Sequence, residues 1–174
     1  MREGQPMSST DPAARKKAKR PRAAPMQILA TTEAAIRAMV YLAMAGPDKR
    51  VSGEEICQKQ EITPALLIKS LRPFVRNGLV ATVRGVGGGF GLAKPAESIT
   101  LLEIIEAVQG PIVFNECLLK SDNCERVAFC PVHPVWREIR ENTEKTLSLW
   151  TLSDLARSGR ARGSLSGGSV TSSG

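Results

Sequence analysis

Between Ser52 and Gly78 the sequence states where two helices begin, how they are joined and where the second one stops. Ser52 followed by Glu55 is a capping-box signature, which starts a short helix from Gly53 to about Gln60. Only Glu61-Ile62 separates it from Thr63-Pro64, an N-cap residue followed by proline at the first helical position. The helix opened there is expected to run to Asn77 and stop at Gly78, with a kink at Pro73. Two capped helices joined by so short a turn leave few architectures open, and the helix-turn-helix is the foremost.

The flanking segments extend that reading. Ile36, Met39, Val40 and Ala43 follow helical spacing from Thr32 to about Gly46-Pro47. After Gly78, Leu79–Val83 is apolar and β-branched, a glycine-rich stretch follows, and Phe90–Leu92 reads as a return strand. Thr100 with Glu103 caps a further amphipathic helix over 101–108, ended by Gly110-Pro111. Residues 111–133 show no period. A long helix is expected over Pro134–Leu149, with Trp136, Ile139, Thr143, Leu147 and Trp150 near one stripe, and a short one over Leu152–Ala156. The fold expected is mainly α with a small β-hairpin: a winged helix-turn-helix followed by a long C-terminal helix.

Charge divides the chain. Residues 1–25 have a net charge of +5 and K-K-A-K-R-P-R at 16–22, and read as a disordered basic arm. Residues 157–174 are Gly, Ser and Arg with a net charge of +3, and read as a disordered tail. Between them, 51–94 is +3 and 97–156 is −5, so one end of the folded part suits a polyanion and the other repels it. No apolar run approaches membrane length, and no apolar region follows the N-terminal charges, so a cytoplasmic protein is expected. Nothing resembles a catalytic set: the lone histidine has no evident nucleophilic partner, so an enzyme is not expected.

On the helix after the turn, Leu67, Leu71, Phe74 and Val75 are expected to face inward. Ala65, Lys69, Arg72 and Arg76 share the outward face, a cationic stripe able to neutralise phosphates or reach base edges. Arg84 precedes G-V-G-G-G-F-G, where it stands at the hairpin tip, a position from which arginine can enter a minor groove. Nucleotide binding is a poor rival for those glycines, since the G-K-[ST] of a phosphate loop is missing.

Cys117, Cys124, Cys130 and His133 lie within seventeen residues, spaced C-x6-C-x5-C-x2-H. Three thiols and an imidazole suit an iron–sulfur cluster or a structural zinc. The gaps are too long for a zinc knuckle, and redox thiols are the third reading. Cys57 reads as a small buried hydrophobe.

The run of motifs from Met26 to about Arg157 resembles the iron–sulfur winged-helix regulators typified by IscR and NsrR. It is carried by A-I-R-A-M-V-Y-L-A at 35–43, N-G-L-V at 77–80, V-R-G-V-G-G-G-F at 83–90, I-T-L-L-E-I-I-E-A-V-Q-G-P at 99–111, C-P-V-H-P-V-W-R at 130–137 and T-L-S-D-L-A at 151–156. The resemblance implies a DNA-binding domain over 26–98 and a cluster loop with dimerisation helices over 99–156. It implies a homodimer on a palindromic promoter site in double-stranded DNA, away from membranes, acting as a repressor or activator that senses cluster status, redox state, iron or nitric oxide. It also implies a 2Fe-2S cluster, with 4Fe-4S as the alternative, on Cys117, Cys124 and Cys130. The fourth ligand it implies is His133, or Glu33 from the partner's first helix. The implied DNA contacts are Thr63, Ala65, Leu66 and Lys69 on the helix and Arg84 on the wing, beside the Arg72 read from the cationic stripe.

The chain departs from the family at several positions. Glu61 stands where many members have glycine, Leu66 where IscR has Tyr, and Ile68 where it has a polar residue, so a different target site is expected. Family chains usually begin at the residue matching Met26, so translation is expected to start at Met1, with a basic arm, or at Met26.

Overall fold

The computed structural model describes residues 27–85, 87–118 and 126–166. The expected basic arm, Cys124 and the last eight residues lie outside these. Among the described residues six α-helices and one two-stranded antiparallel sheet form the fold. The helices are α1 (Ala30–Ala45), α2 (Gly53–Gln60), α3 (Pro64–Arg76), α4 (Leu101–Gln109), α5 (His133–Leu149) and α6 (Leu152–Ser166), and β1 (Val80–Val83) pairs with β2 (Gly89–Leu92). This is the mainly α, winged helix-turn-helix architecture with a long helix behind it.

The caps form as local chemistry dictates. The hydroxyl of Ser52 accepts from Glu55 N at 3.1 Å, that of Thr63 from Leu66 N at 3.3 Å, and that of Thr100 from Glu103 N at 3.1 Å. The Glu55 carboxylate does not complete its capping box; it accepts from the Tyr41 hydroxyl at 2.8 Å and ties α2 to α1. That bond, with burial behind it, raises the Tyr41 pKa. Glu61 takes the left-handed conformation at the turn (φ 53°), at a cost of roughly 1–2 kcal/mol that glycine would avoid. Its N–H still reaches the Cys57 carbonyl, and so does that of Ile62 at 3.1 Å, which closes the turn.

The core gathers Ala35, Ala38, Met39 and Leu42 of α1, Leu67, Leu71 and Phe74 of α3, Ile104 of α4 and Leu152 of α6. Each large side chain so buried stabilises the fold by about 1.5–3 kcal/mol. Val75 departs from expectation: it is 39% exposed. The inward stripe of α3 follows 67, 70, 71 and 74, and Ser70 occupies the place assigned to Val75. Ser70 is fully buried, and its hydroxyl donates to the Thr31 carbonyl of α1 at 3.0 Å. Cys57 is half-buried against the core rather than inside it.

The wing is held by a third segment. Val51 and Phe90 exchange backbone hydrogen bonds of 2.9 and 2.8 Å, so the stretch before α2 pairs with β2. Behind the wing, Thr100 bridges Thr151, Leu101 N donates to Trp150 O at 2.9 Å and Leu152 N to Ile99 O at 2.8 Å. The C-terminal end of α5 is thereby stitched to the start of α4.

The tail expected from residue 157 does not begin there. Helix α6 runs ten residues beyond Ala156, to Ser166. The physical reason is α1: the Arg160 guanidinium donates to the carbonyls of Ala43 (3.3 Å) and Met44 (2.8 Å), which the end of α1 leaves without helical partners. Gly159 meanwhile lets the two helices meet at Met44.

At the start of α6 the Asp154 carboxylate accepts from Thr151 N (3.1 Å) and Thr151 Oγ1 (2.6 Å), and Asp154 N donates back to Thr151 Oγ1 (3.1 Å). The Thr151 bonds, aided by Arg157, hold the Asp154 pKa below its ordinary value against a smaller opposing effect of burial. A lowered carboxylate pKa stabilises the fold above the unfolded value, about 3.9, and that stability is lost as pH falls through the folded value. Thermal melts between pH 6 and pH 2 should therefore fall more steeply below about pH 4 in the wild type than in Asp154→Asn. Equal slopes would remove the Thr151–Asp154 cap from the acid response.

Candidate nucleic-acid interface and metal centre

The exposed side of α3 carries Ala65, Ile68, Lys69, Arg72, Val75 and Arg76. The helix has no acidic residue. No ion pair among the described residues engages Lys69, Arg72 or Arg76; the ion pairs present lie on α5 and α6. Three cations therefore stand on one face with their charge uncompensated. Thr63 is exposed but already committed to capping α3. Leu66 is half-buried and packs against the core, so it leans away from the cationic stripe. Arg84 is exposed at the wing, beside a tip whose Gly85 and Gly87 have φ of 99° and 76°.

Two polar contacts fix this face relative to the rest of the domain. Ser70 ties α3 to the first turn of α1. Thr32, fully buried in that same turn, donates to Gln109 Oε1 at 2.8 Å, which also accepts from Leu29 N at 3.3 Å. Ser70 and Thr32 are the two buried polar side chains among the described residues, and both serve the N-terminal end of α1. Gln109 is the last residue of α4, so this contact reaches the segment that leads to the cysteines. Arg140 of α5 meets that segment from the other side: its guanidinium donates to Leu118 O at 3.1 Å and to Glu144 at 2.6 Å. Sequence reasoning missed Ser70, Gln109 and Arg140, because their partners lie 22 to 77 residues away.

Of the four expected metal ligands, three are described. Cys117 sits in a 3-10 turn over Glu116–Leu118 and is half-buried. Cys130 is half-buried just before α5, and His133 opens that helix, its N–H donating to Cys130 O at 3.3 Å. Cys130 and His133 are thus one turn apart on a continuous backbone. His133 Nδ1 is buried and has no hydrogen-bond partner among the described residues. A buried imidazole nitrogen without a partner is costly unless something occupies it, and coordination is one remedy. Thiolates with an imidazole are a donor set that iron–sulfur clusters accept, so the residues present fit such a group. No three potential ligands converge among the described residues, which do not include Cys124. Glu33 is exposed on the first turn of α1.

Helix α5 buries none of its residues in the single chain. Val135, Ile139 and Leu149 are exposed along it, as are Phe129 and Val132 before it and Trp150 after it; Phe129 and Leu149 reach 74% and 71%. So much apolar surface on one element exceeds the scatter usual for a monomer. No helix among the described residues is long and apolar enough to cross a membrane.

A family profile described as Rrf2, iron-dependent transcriptional regulator, matches residues 28–158. Among relatives, a putative HTH-type transcriptional regulator of Aquifex aeolicus is 33% identical over 127 residues, covering 72% of this chain and 88% of its own. The HTH-type transcriptional regulator IscR of Yersinia enterocolitica is 32% identical over 130 residues, covering 75% of this chain and 79% of its own. Among solved structures, CymR of B. subtilis, named as its global cysteine regulator, superposes with a TM-score of 0.64 at 27% identity, covering 75% of this chain and 96% of CymR. T. potens IscR has the same fold (TM-score 0.64, 22% identity, 85% of this chain and 93% of that one).

Proposed function

Because the chain belongs to the Rrf2 family of transcriptional regulators, we propose that it is a homodimeric, cytoplasmic regulator whose DNA binding responds to an iron–sulfur cluster held by Cys117, Cys124, Cys130 and His133. The observation that carries the cluster is the orphaned, buried Nδ1 of His133, one turn from Cys130. Glu33 of a partner subunit is the competing fourth ligand. The cluster supplies a centre sensitive to oxidation and to iron supply.

The chain's own residues do the rest. Lys69, Arg72 and Arg84, with Ala65, Leu66 and Thr63 around them, meet a palindromic operator: α3 lies in the major groove and the wing beside it. The apolar side of α5 pairs with its copy, setting the distance between two recognition helices. Tying the cysteine ligands together would join the chain that leaves α4 to the chain that enters α5. Gln109 holds α1, Ser70 holds α3 on α1 and Arg140 holds α5 on Leu118 O, so that join would set the angle between reading heads and dimer helix. Releasing the ligands would relax that angle and change operator affinity with it.

Anaerobic purification with an absorption spectrum and counts of iron and acid-labile sulfide tests this reading. Visible absorption with sulfide in proportion to iron is the expected result. A second reading, a redox-thiol or structural zinc site on the same winged helix, rests on the same thiols and imidazole, which suit zinc as well. It predicts colourless protein without sulfide, and that result would overturn the cluster.

A further inference from the structure

Helix α3 carries an apolar residue where solvent alone would favour a polar one: Ile68 is 64% exposed, in the second turn of the helix. Single exposed apolar residues are ordinary on protein surfaces, but the neighbours of this one are not. Ala65 lies one turn before it, small enough to leave the isoleucine standing clear, and Lys69 and Arg72 flank it with uncompensated charge. With no acidic side chain on the helix, the exposed face is built of two chemistries only, aliphatic and cationic. A DNA major groove offers the complement, anionic rims around a floor on which the C5-methyl of thymine is the apolar feature. In helix-turn-helix docking the N-terminal turns of the recognition helix lie closest to the bases, and Ile68 is in them while Arg76 is at the far end.

We propose that Ile68, supported by Ala65, reads the C5-methyl group of one thymine in each half-site, so that this chain recognises that position by an apolar contact rather than a hydrogen bond. The inference rests on the reading of α3 as the groove helix. Its energetic share is that of burying one methyl-sized group, which corresponds to about a fourfold change in affinity per half-site and about fifteenfold for two.

The test begins with the full chain, purified anaerobically, selecting its sites from a random duplex pool. In the selected duplex each thymidine is then replaced singly by deoxyuridine, which removes the methyl and leaves every hydrogen-bonding group in place. The wild type should lose about fourfold at one thymine per half-site. Ile68→Ser should bind the thymidine and deoxyuridine duplexes equally, and Ile68→Val should keep the preference. Circular dichroism on both variants confirms that α3 is intact. A specific duplex without any deoxyuridine effect would overturn the methyl contact while leaving α3 a DNA-reading helix. A deoxyuridine loss that persists in Ile68→Ser would assign the methyl to another residue and overturn the inference. Enrichment of no duplex would overturn the DNA reading, and the inference with it.

Discussion

Cys130→Ala should yield a folded protein with no visible chromophore and an operator affinity changed by roughly 5–150-fold, the range of a 1–3 kcal/mol coupling. Cys130 is half-buried at the mouth of α5 and lies outside the hydrophobic core, so its loss should barely move the melting temperature. The loss falls instead on the connection between the loop and the helices beside it. Gln109 and Arg140 grip the loop's neighbours from opposite sides, and neither contact closes the gap between them. Cys57→Ala is the internal control: that thiol sits on α2, packed against the core, and its removal should leave the visible spectrum unchanged. The measurement is an anaerobic titration of operator DNA alongside the spectrum. Cys130→Ala protein that keeps its colour would take the residue out of the ligand set. Colour lost with affinity unchanged would separate the cluster from DNA binding.

Gly89→Ala should destabilise the domain by about 2–5 kcal/mol, combining backbone strain with loss of two paired hydrogen bonds. The glycine has φ 154°, and a Cβ there would come 2.3 Å from the Val51 carbonyl oxygen, which accepts the bond from Phe90 N. Nothing flexible stands in the way; the obstacle is backbone, so the bridge between Val51 and Phe90 must open. Gly78→Ala makes the useful comparison. It also has a positive φ (67°), yet its Cβ would meet nothing within 4 Å. It should cost about 1–2 kcal/mol, the left-handed penalty alone. Urea unfolding of both variants checks the order, and equal midpoints would show that the close approach at Gly89 is relieved at no cost.

The elements whose chemistry is local were legible in the sequence. Ser52, Thr63 and Thr100 each cap a helix through a backbone N–H three residues away, so the sequence window contains both partners. The cationic face of α3 followed from helical periodicity: Lys69, Arg72 and Arg76 are all exposed. What escaped involved partners distant along the chain. A serine in a helix reads as a solvent-facing residue, yet Ser70 is buried because Thr31 O, 39 residues upstream, accepts a hydrogen bond from its hydroxyl. The bridge of Val51 to Phe90 involves one residue and so has no period to detect. Residues 157–166 have the composition of a tail and are helical because Arg160 finds the open carbonyls of α1. For the candidate metal site, spacing alone named the four residues. The orphaned nitrogen of His133 is a packing property that no spacing reveals.

The bridge between Val51 and Phe90 also bears on how promoters for such a protein are spelled. It joins the wing to the stretch that leads directly into the helix-turn-helix, so wing and helix-turn-helix share one hydrogen-bonded backbone frame. An extra base pair inserted within a half-site would have to be absorbed by the DNA. On the proposed dimer, an extra pair between half-sites would fall on the pairing of α5 with its copy. If the proposed dimer reads two half-sites, spacer length is the adjustable part of its operator and half-site length the fixed one, so drift in a genome should leave related sites with variable centres and uniform arms.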